Sequence, residues 1–161
     1  MKSVEVWING EGCKIPEGTT VLKTAEKLGI YIPTLCYHPY LRPSGNCRLC
    51  AVEIEGQRGL PAACSTVVAP GMNIRTDTER VKEFQRETLR LILRDYPRDA
   101  IDWIKGQPYE LRKVIEYIGF DEAYSPSTKK QGEVKEGGPF FKRDYNPVSY
   151  THLTLPTKRI V

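Results

Sequence analysis

The sequence lacks the features that mark membrane-spanning and secreted proteins. Its 161 residues contain no apolar run long enough to cross a bilayer, so no transmembrane segment is expected. Residues 1–9 lack the basic start, apolar stretch and small-residue cleavage site of a signal peptide. A hydrophobic content of 40% and a charged content of 27% are typical of globular chains. We therefore expect a cytoplasmic protein, or one docked peripherally on the cytoplasmic side of a membrane complex.

The sequence also has little excess charge and no catalytic motif. Its net charge is +4, and Lys158 and Arg159 lie in a final stretch without acids, so the rest of the chain is near +2. This balance does not indicate the clustered basic face that nucleic acid requires, and no nucleic-acid partner is expected. No nucleotide-binding glycine fingerprint occurs, nor a nucleophile with a base at motif spacing. The chain is predicted to have no catalytic residues of its own.

Cysteine is sparse but concentrated in one part of the chain. Cys13 stands apart, whereas Cys36, Cys47, Cys50 and Cys64 fall within 29 residues. An odd count in a chain that looks cytosolic argues against a disulfide framework. The concentration indicates a metal or cluster site instead.

Hydrophobic periodicity predicts an α+β fold for the first 76 residues. Residues 3–9 alternate as a strand, a turn follows, and residues 13–15 return as its hairpin partner. A helix is predicted over residues 21–28, with Thr19 or Thr20 as its cap and Gly29 as its end. Further extended segments are predicted at 51–55, 60–65 and 72–75. This order fits a small mixed sheet packed on one helix.

The character of the sequence changes after Thr76. Thr76 and Glu79 form a possible capping box for a helix that runs to about Arg94. Its predicted inner face consists of Val81, Phe84, Thr88, Leu91 and Ile92. Pro97 and Pro108 could each open another helix, the latter burying Leu111, Val114, Ile115 and Ile118 and ending at Gly119. We expect a helical domain over residues 77–124 and a loop and linker over 125–146.

The cysteine spacing is suited to a 2Fe-2S cluster, which needs four thiolates, two for each iron. Cys47 and Cys50 can reach a cluster from one tight loop, while Cys36 and Cys64 must return from flanking segments. Gly45 lets the chain bend where a side chain would crowd the cluster. Cys36, Cys47, Cys50 and Cys64 are the predicted metal-binding residues.

Other interpretations of the cysteines remain open. Structural zinc also takes four cysteines, but commonly from two close pairs, and only one close pair is present. A redox CxxC pair would precede a helix, whereas this pair precedes a predicted strand. Cys13 is expected to be a small buried or edge residue, and His38 to be structural. A β-grasp binding module stabilised by zinc is therefore the alternative to an electron carrier.

Two segments carry a resemblance to a known family. Residues 35–39 (LCYHP) and 45–53 (GNCRLCAVE) resemble the N-terminal ferredoxin domain of the large iron-sulfur subunit of respiratory complex I. Iron-only hydrogenases, small diaphorase subunits of NAD-linked hydrogenases and some NAD-linked formate dehydrogenases open with the same domain. The resemblance covers residues 3–76. Plant-type ferredoxins have a shorter first spacing between cysteines.

This resemblance implies a β-grasp ferredoxin-type domain over residues 1–76 that holds a 2Fe-2S cluster on all four cysteines. It also implies one-electron transfer within a larger NADH-, hydrogen- or formate-linked oxidoreductase. The expected partners are redox subunits or domains that contain flavin or iron-sulfur clusters. A free-standing small ferredoxin is the other possibility.

In the resembling proteins a helical domain follows, with a 4Fe-4S cluster on one histidine and three cysteines spaced H-x3-C-x2-C-x5-C. On this chain those positions fall at Tyr96, Ala100, Trp103 and Tyr109. None can replace a thiolate, because alanine has no donor atom and the indole nitrogen has no lone pair to offer. We therefore expect a helical domain without metal and no 4Fe-4S cluster in this chain.

The end of the sequence departs from the family. Residues 139–146 (PFFKRDYN) resemble the segment that precedes a ferredoxin-like domain with two 4Fe-4S motifs, but no cysteines follow. Residues 148–161 instead resemble translated sequencing-adapter sequence. We expect residues 147–161 to be an artefactual tail, with a genuine C-terminal strand as the alternative, since residues 148–155 partly alternate.

Overall fold

The computed structural model of the chain describes residues 2–94 and 110–119, together with the backbone of residues 135–136 and 142–143. The elements, in chain order, are β1 (Ser3–Ile8), β2 (Glu11–Pro16), α1 (Val21–Lys27), β3 (Glu53–Ile54), β4 (Asn73–Arg75), α2 (Glu79–Leu93), α3 (Glu110–Ile118), β5 (Lys135–Glu136) and β6 (Lys142–Arg143). Strands β5 and β6 form a separate antiparallel pair.

The first four strands form one mixed sheet in the order β2-β1-β4-β3. Strand β1 pairs antiparallel with β2 and parallel with β4, which pairs antiparallel with β3. Val4, Val6 and Ile8 point inward from β1 while Glu5 and Trp7 point outward, as the alternation predicts. A mixed sheet closed around one helix confirms the predicted α+β, β-grasp class.

Helix α1 packs its apolar residues against this sheet. Val21, Leu22 and Ala25 join the strand residues in the first hydrophobic core. The helix begins at the predicted cap, because Thr20 Oγ1 accepts a hydrogen bond from the Lys23 N–H. It ends near Gly29, whose φ of 69° is the left-handed conformation that glycine adopts at low cost.

Several predicted strand boundaries are wrong. Strand β2 begins at Glu11 rather than at residue 13, and the segment predicted over 51–55 is a strand only at Glu53–Ile54. Residues 60–65 form no strand; Ala51 and Ala62 make an isolated bridge. The cause is a turn, since the N–H groups of Ser65 and Thr66 both donate to the Ala62 carbonyl.

The start of α2 also differs from the prediction. The cap is Thr78, whose Oγ1 accepts from the Val81 N–H, and not Thr76. Thr76 is instead bound to Asn9, which lies 67 residues earlier in the chain. Asn9 Oδ1 accepts from the Thr76 N–H at 2.9 Å, and Asn9 Nδ2 donates to Thr76 Oγ1 at 2.8 Å. This pair ties the end of β1 to the chain just before α2.

The buried face of α2 is rotated from the predicted one. Its fully buried residues follow a spacing of four: Val81, Gln85, Leu89 and Leu93. Leu91, predicted to be inside, is 64% exposed, whereas Phe84, Thr88 and Ile92 are partly buried. In α3, Val114 is buried while Leu111, Ile115 and Ile118 are partly buried, and the helix stops at Gly119, as predicted.

Some predictions fall on residues outside the described part of the chain. These include the helix expected at Pro97, the four replaced ligand positions, the loop residues 125–134 and the tail 147–161. The domain boundaries therefore stay predictions. In the described residues, no helix combines the length and apolar character needed to cross a bilayer.

We predict that Asn9→Ala lowers the free energy of unfolding by about 2–3 kcal/mol, because it removes two hydrogen bonds and because alanine tolerates a positive φ less well than asparagine. Asn9 has a φ of 53°. Urea denaturation measures the change. Asn9→Gly is the matched control, since it loses the bonds without the strain and should lose less. Equal losses for the two variants would contradict a contribution from the backbone.

Candidate iron-sulfur site

The four clustered cysteines lie on two segments of the first domain. Cys36 and Cys47 bracket a long irregular loop, Cys50 directly precedes the Ala51 bridge, and Cys64 lies in the turn that follows it. Cys50 and Cys64 are each 1% exposed, whereas Cys36 and Cys47 are partly exposed. The site therefore has an inner side sealed in the core and an outer side that reaches the surface.

Helix α1 positions the turn that carries Cys64. The first two N–H groups of the helix have no partner inside it, and Val21 N–H donates to the Thr66 carbonyl while Leu22 N–H donates to the Ala63 carbonyl. On the other side, the Ala63 N–H donates to the Cys50 carbonyl at 2.8 Å. Cys64 is thus fixed relative to both the helix and Cys50.

The four cysteines fall into an outer and an inner pair. The Cys47 N–H donates to Cys36 Sγ at 3.5 Å, and both of these side chains are partly exposed. Cys50 and Cys64 are both buried, and the Ala63 N–H bond to the Cys50 carbonyl joins their segments. The charge of Cys47 also acts on Cys50, which places the two pairs next to each other.

The outer and inner sides of the site shift the pKa of their thiols in opposite directions. Burial opposes ionisation of Cys36, but hydrogen bonds from the Ser44 side chain and from Cys47 and Asn46 lower its pKa to about 7. Burial raises the pKa of Cys50 to about 12, and the neighbouring Cys64 and Cys47 charges oppose ionisation further. Four ionised thiols in this space need a bound cation to offset their repulsion.

This donor set fits a 2Fe-2S cluster. In the described residues, no three cysteine, histidine or carboxylate side chains converge as the ligands of one metal ion would. Two adjacent pairs of thiols match the distribution of a cluster with two thiolates on each iron.

The turn between Cys47 and Cys50 depends on an uncommon backbone conformation. Arg48 has a φ of 59°, which is costly for a residue with a side chain. Its Nη2 donates to the Leu60 carbonyl at 2.9 Å and so ties this turn to the segment that leads to Cys64. Gly45 has a φ of 64°, and an added Cβ would meet only Ser65 and Ala62 at ordinary contact distances. Glycine is therefore favoured at position 45 by its positive φ and not by a lack of space among the surrounding protein atoms.

The helices that follow the first domain support the same turn, which the sequence patterns did not predict. Leu49 is fully buried in a second hydrophobic core with Leu89, Leu93 and Val114, and Cys47 packs against this core. The buried Gln85 donates from Nε2 to the Ala51 carbonyl at 3.4 Å. The sequence did contain one signal for this second core. A leucine within the CxxC pair is fully apolar and is expected to be buried against other apolar residues.

Cys13 lies on a sheet edge, as expected, and the structural role of His38 stays a prediction. Cys13 is partly buried on the edge strand β2, opposite Val6, and burial raises the pKa of its thiol, with Glu11 adding to the effect. His38 is exposed, and its Nδ1 accepts from the Tyr40 N–H at 3.4 Å.

Comparison with known proteins decides the family. Residues 1–79 match the family described as the 2Fe-2S iron-sulfur cluster binding domain. This part of the chain belongs to that family. The membership confirms the predicted resemblance and the predicted 2Fe-2S cofactor. The assignment of individual cysteines as ligands stays a prediction.

Relatives extend the similarity beyond this domain. One of the NADH-quinone oxidoreductase subunits of Rhizobium meliloti is 41% identical over 120 residues, which are 74% of this chain and 14% of that protein. The HndD protein of the NADP-reducing hydrogenase of Solidesulfovibrio fructosivorans is 38% identical over 128 residues, 76% of this chain and 22% of the relative. The chain thus spans less than a quarter of the length of these relatives.

A solved structure supports the fold. A chain of an NAD+-reducing [NiFe]-hydrogenase in the H2-reduced state aligns with a TM-score of 0.71 and 26% identity. The alignment covers 90% of this chain and 61% of the hydrogenase chain. The similarity agrees with the mixed sheet and helices described above.

We predict that Leu49→Ala destabilises the protein by about 2–5 kcal/mol, because it leaves a cavity where the second core meets the cysteine turn. The visible absorbance of the cluster should also be lost at a lower temperature than in the parent. Thermal melts followed by circular dichroism and by absorbance measure both effects. Leu91→Ala, on the exposed face of α2, is the control and should change either value little.

Proposed function

We propose that this chain transfers single electrons through a 2Fe-2S cluster held by Cys36, Cys47, Cys50 and Cys64. The observation that carries the proposal is that residues 1–79 match a 2Fe-2S cluster binding domain in which these four cysteines lie on adjoining segments, two of them buried and two partly exposed. When bound, such a cluster supplies one-electron oxidation and reduction at low potential, near about −400 mV in plant-type ferredoxins. No residue of the chain is assigned a bond-making role.

The protein's contribution is to hold, tune and partly shield the cluster. Cys50 and Cys64 bind from the core and keep water from that side, since both side chains are almost fully enclosed. At the outer side, the Cys47 N–H and the Ser44 side chain are directed at Cys36 Sγ. Hydrogen bonds to ligand sulfurs and solvent exposure are two of the factors that set a cluster's potential.

The larger assembly is inferred from the relatives. Their names describe subunits of NADH-quinone oxidoreductase and of an NADP-reducing hydrogenase. We infer that this chain likewise acts in a NADH-, hydrogen- or formate-linked oxidoreductase, with flavin- or iron-sulfur-containing partners. We place that assembly in the cytoplasm or on the cytoplasmic side of a membrane complex.

Elemental analysis tests the proposal directly. We expect anaerobically purified or reconstituted protein to contain two irons and two sulfides per chain and to give a rhombic EPR signal on reduction. One zinc per chain without visible absorbance would instead support the binding-module alternative. Cys47→Ser should abolish or strongly perturb the EPR signal, whereas Cys13→Ser should not. An unchanged signal in the Cys47 variant would reject the ligand assignment.

The helical region after residue 76 is proposed to bind no cluster. Its aligned positions carry Tyr96, Ala100, Trp103 and Tyr109, which supply no thiolate or imidazole. We predict that Tyr96→Phe and Tyr109→Phe leave the iron content and the EPR spectrum unchanged, because neither side chain is a ligand. Iron loss in either variant, at unchanged thermal stability, would contradict a metal-free helical region.

A further inference from the structure

Charge is distributed unevenly around the cysteines. Residues 27–52 and 56–76 contain all four predicted ligands and no aspartate or glutamate. Their charged side chains are all cationic: Lys27, Arg42, Arg48, Arg58 and Arg75. Over residues 27–76 as a whole, five cationic side chains therefore stand against two acidic ones, Glu53 and Glu55.

The loop between Cys36 and Cys47 carries two apolar side chains at its tip. Tyr40 is 89% exposed and Leu41 is 69% exposed. The tip is an ordered turn, because Leu41 N–H donates to the His38 carbonyl at 3.1 Å and Tyr40 N–H donates to His38 Nδ1. The Tyr40 ring also packs at 5.6 Å from the His38 ring. The turn keeps these apolar side chains in water, which is unfavourable in free energy. Burial against a partner would remove this penalty.

This tip lies on the outer side of the site. The loop is bracketed by Cys36 and Cys47, the two cysteines that are partly exposed. Arg48 follows Cys47 directly and is exposed, and its guanidinium is held by the bond to the Leu60 carbonyl, in the segment that leads to Cys64. The surface through which electrons would leave is therefore cationic around an apolar tip.

The acids closest to the loop in the chain lie outside it. Glu26 acts on the base of the loop, where burial first and then this carboxylate raise the pKa of Tyr37. Glu53 is paired with Arg80 at 3.4 Å, whereas Glu55 accepts from the neutral Asn73 amide at 2.8 Å and keeps its charge. Residues 37–46 themselves contain no aspartate or glutamate.

We propose that residues 37–46 together with Arg48 form the docking surface for an electron-transfer protein with an acidic face. In that face an apolar recess receives Tyr40 and Leu41, while its carboxylates lie opposite Arg42 and Arg48. Complementary charge speeds and orients the encounter, and the apolar contact limits dissociation. The inference rests on the proposed function, since it names the partner of the same cluster.

Small inorganic oxidants test the sign of charge at this surface. With the full chain loaded and reduced, one electron passes from the protein to each ferricyanide or hexaammineruthenium(III) ion. We expect added salt to slow oxidation by the ferricyanide anion and to speed oxidation by the ruthenium cation. Arg42→Glu should slow the ferricyanide reaction several-fold, whereas Lys14→Glu on the exposed face of β2 should have little effect. If added salt changed the oxidation rates by ferricyanide and by the ruthenium cation equally, the inference of a cationic surface would be rejected.

Binding of a whole protein tests the apolar tip. The probe is an acidic flavodoxin, titrated by calorimetry into the loaded chain at low and high salt. We expect Tyr40→Ser and Leu41→Ser each to raise Kd on the order of tenfold. Leu91→Ser removes a similarly exposed leucine from α2 and is the control. Equal affinity of the parent and both tip variants would overturn the proposal.

Two further measurements separate the competing explanations. Self-association of the parent that is lost in Leu41→Ser, seen by sedimentation, would assign the surface to a second copy and reject the acidic partner. Iron content on the same samples tests the proposed function independently. If the protein contains two irons but Tyr40→Ser and Leu41→Ser do not change its affinity for flavodoxin, the proposed function is retained and the docking surface lies elsewhere.

Discussion

The structure depends on one constraint, which is that the four residues from Cys47 to Cys50 must face two environments at once. The two cysteines contribute to opposite thiol pairs, while the leucine between them is fully buried in the second core. A regular strand or helix would not direct these side chains in this way. The left-handed backbone of Arg48 permits the turn, and the bond to the Leu60 carbonyl offsets part of its cost. The first domain and the helices after it are therefore joined at the turn that carries Cys47 and Cys50.

The electrostatics of the site also favours a bound group of cations. Bringing four thiols together is unfavourable when they ionise, and it is most unfavourable for the buried Cys50. The outer pair accepts hydrogen bonds that stabilise the thiolate charge, and the inner pair is buried. These surroundings suit ligands that share a cation cluster, with one edge close to solvent. The cationic segments around that edge give the same surface a consistent charge toward whatever approaches it.

Much of the fold could be predicted from local patterns, because those patterns are set by short-range geometry. The alternation of Val4, Val6 and Ile8 and the cap at Thr20 appear in the structure as predicted. The cysteine spacing indicated the right cofactor, since few other sites need that arrangement. The errors arose where long-range contacts decide. Thr76 is bound to Asn9 and so leaves capping to Thr78, and the polar Gln85 is buried because it reaches the Ala51 carbonyl. A single sequence carries no local sign of such partners.

The parallel pairing of β1 with β4 has a consequence for how the protein is made. The two strands lie at opposite ends of the first domain, and their register joins Trp7 to Asn73 and Ile8 to Ile74. Every cysteine proposed as a ligand lies in the chain between them. A growing polypeptide cannot complete the sheet until β4 has left the ribosome, so the thiols stay exposed to oxidants and stray metals during that interval. The four cysteines therefore cannot reach their final positions before β4 has been synthesised.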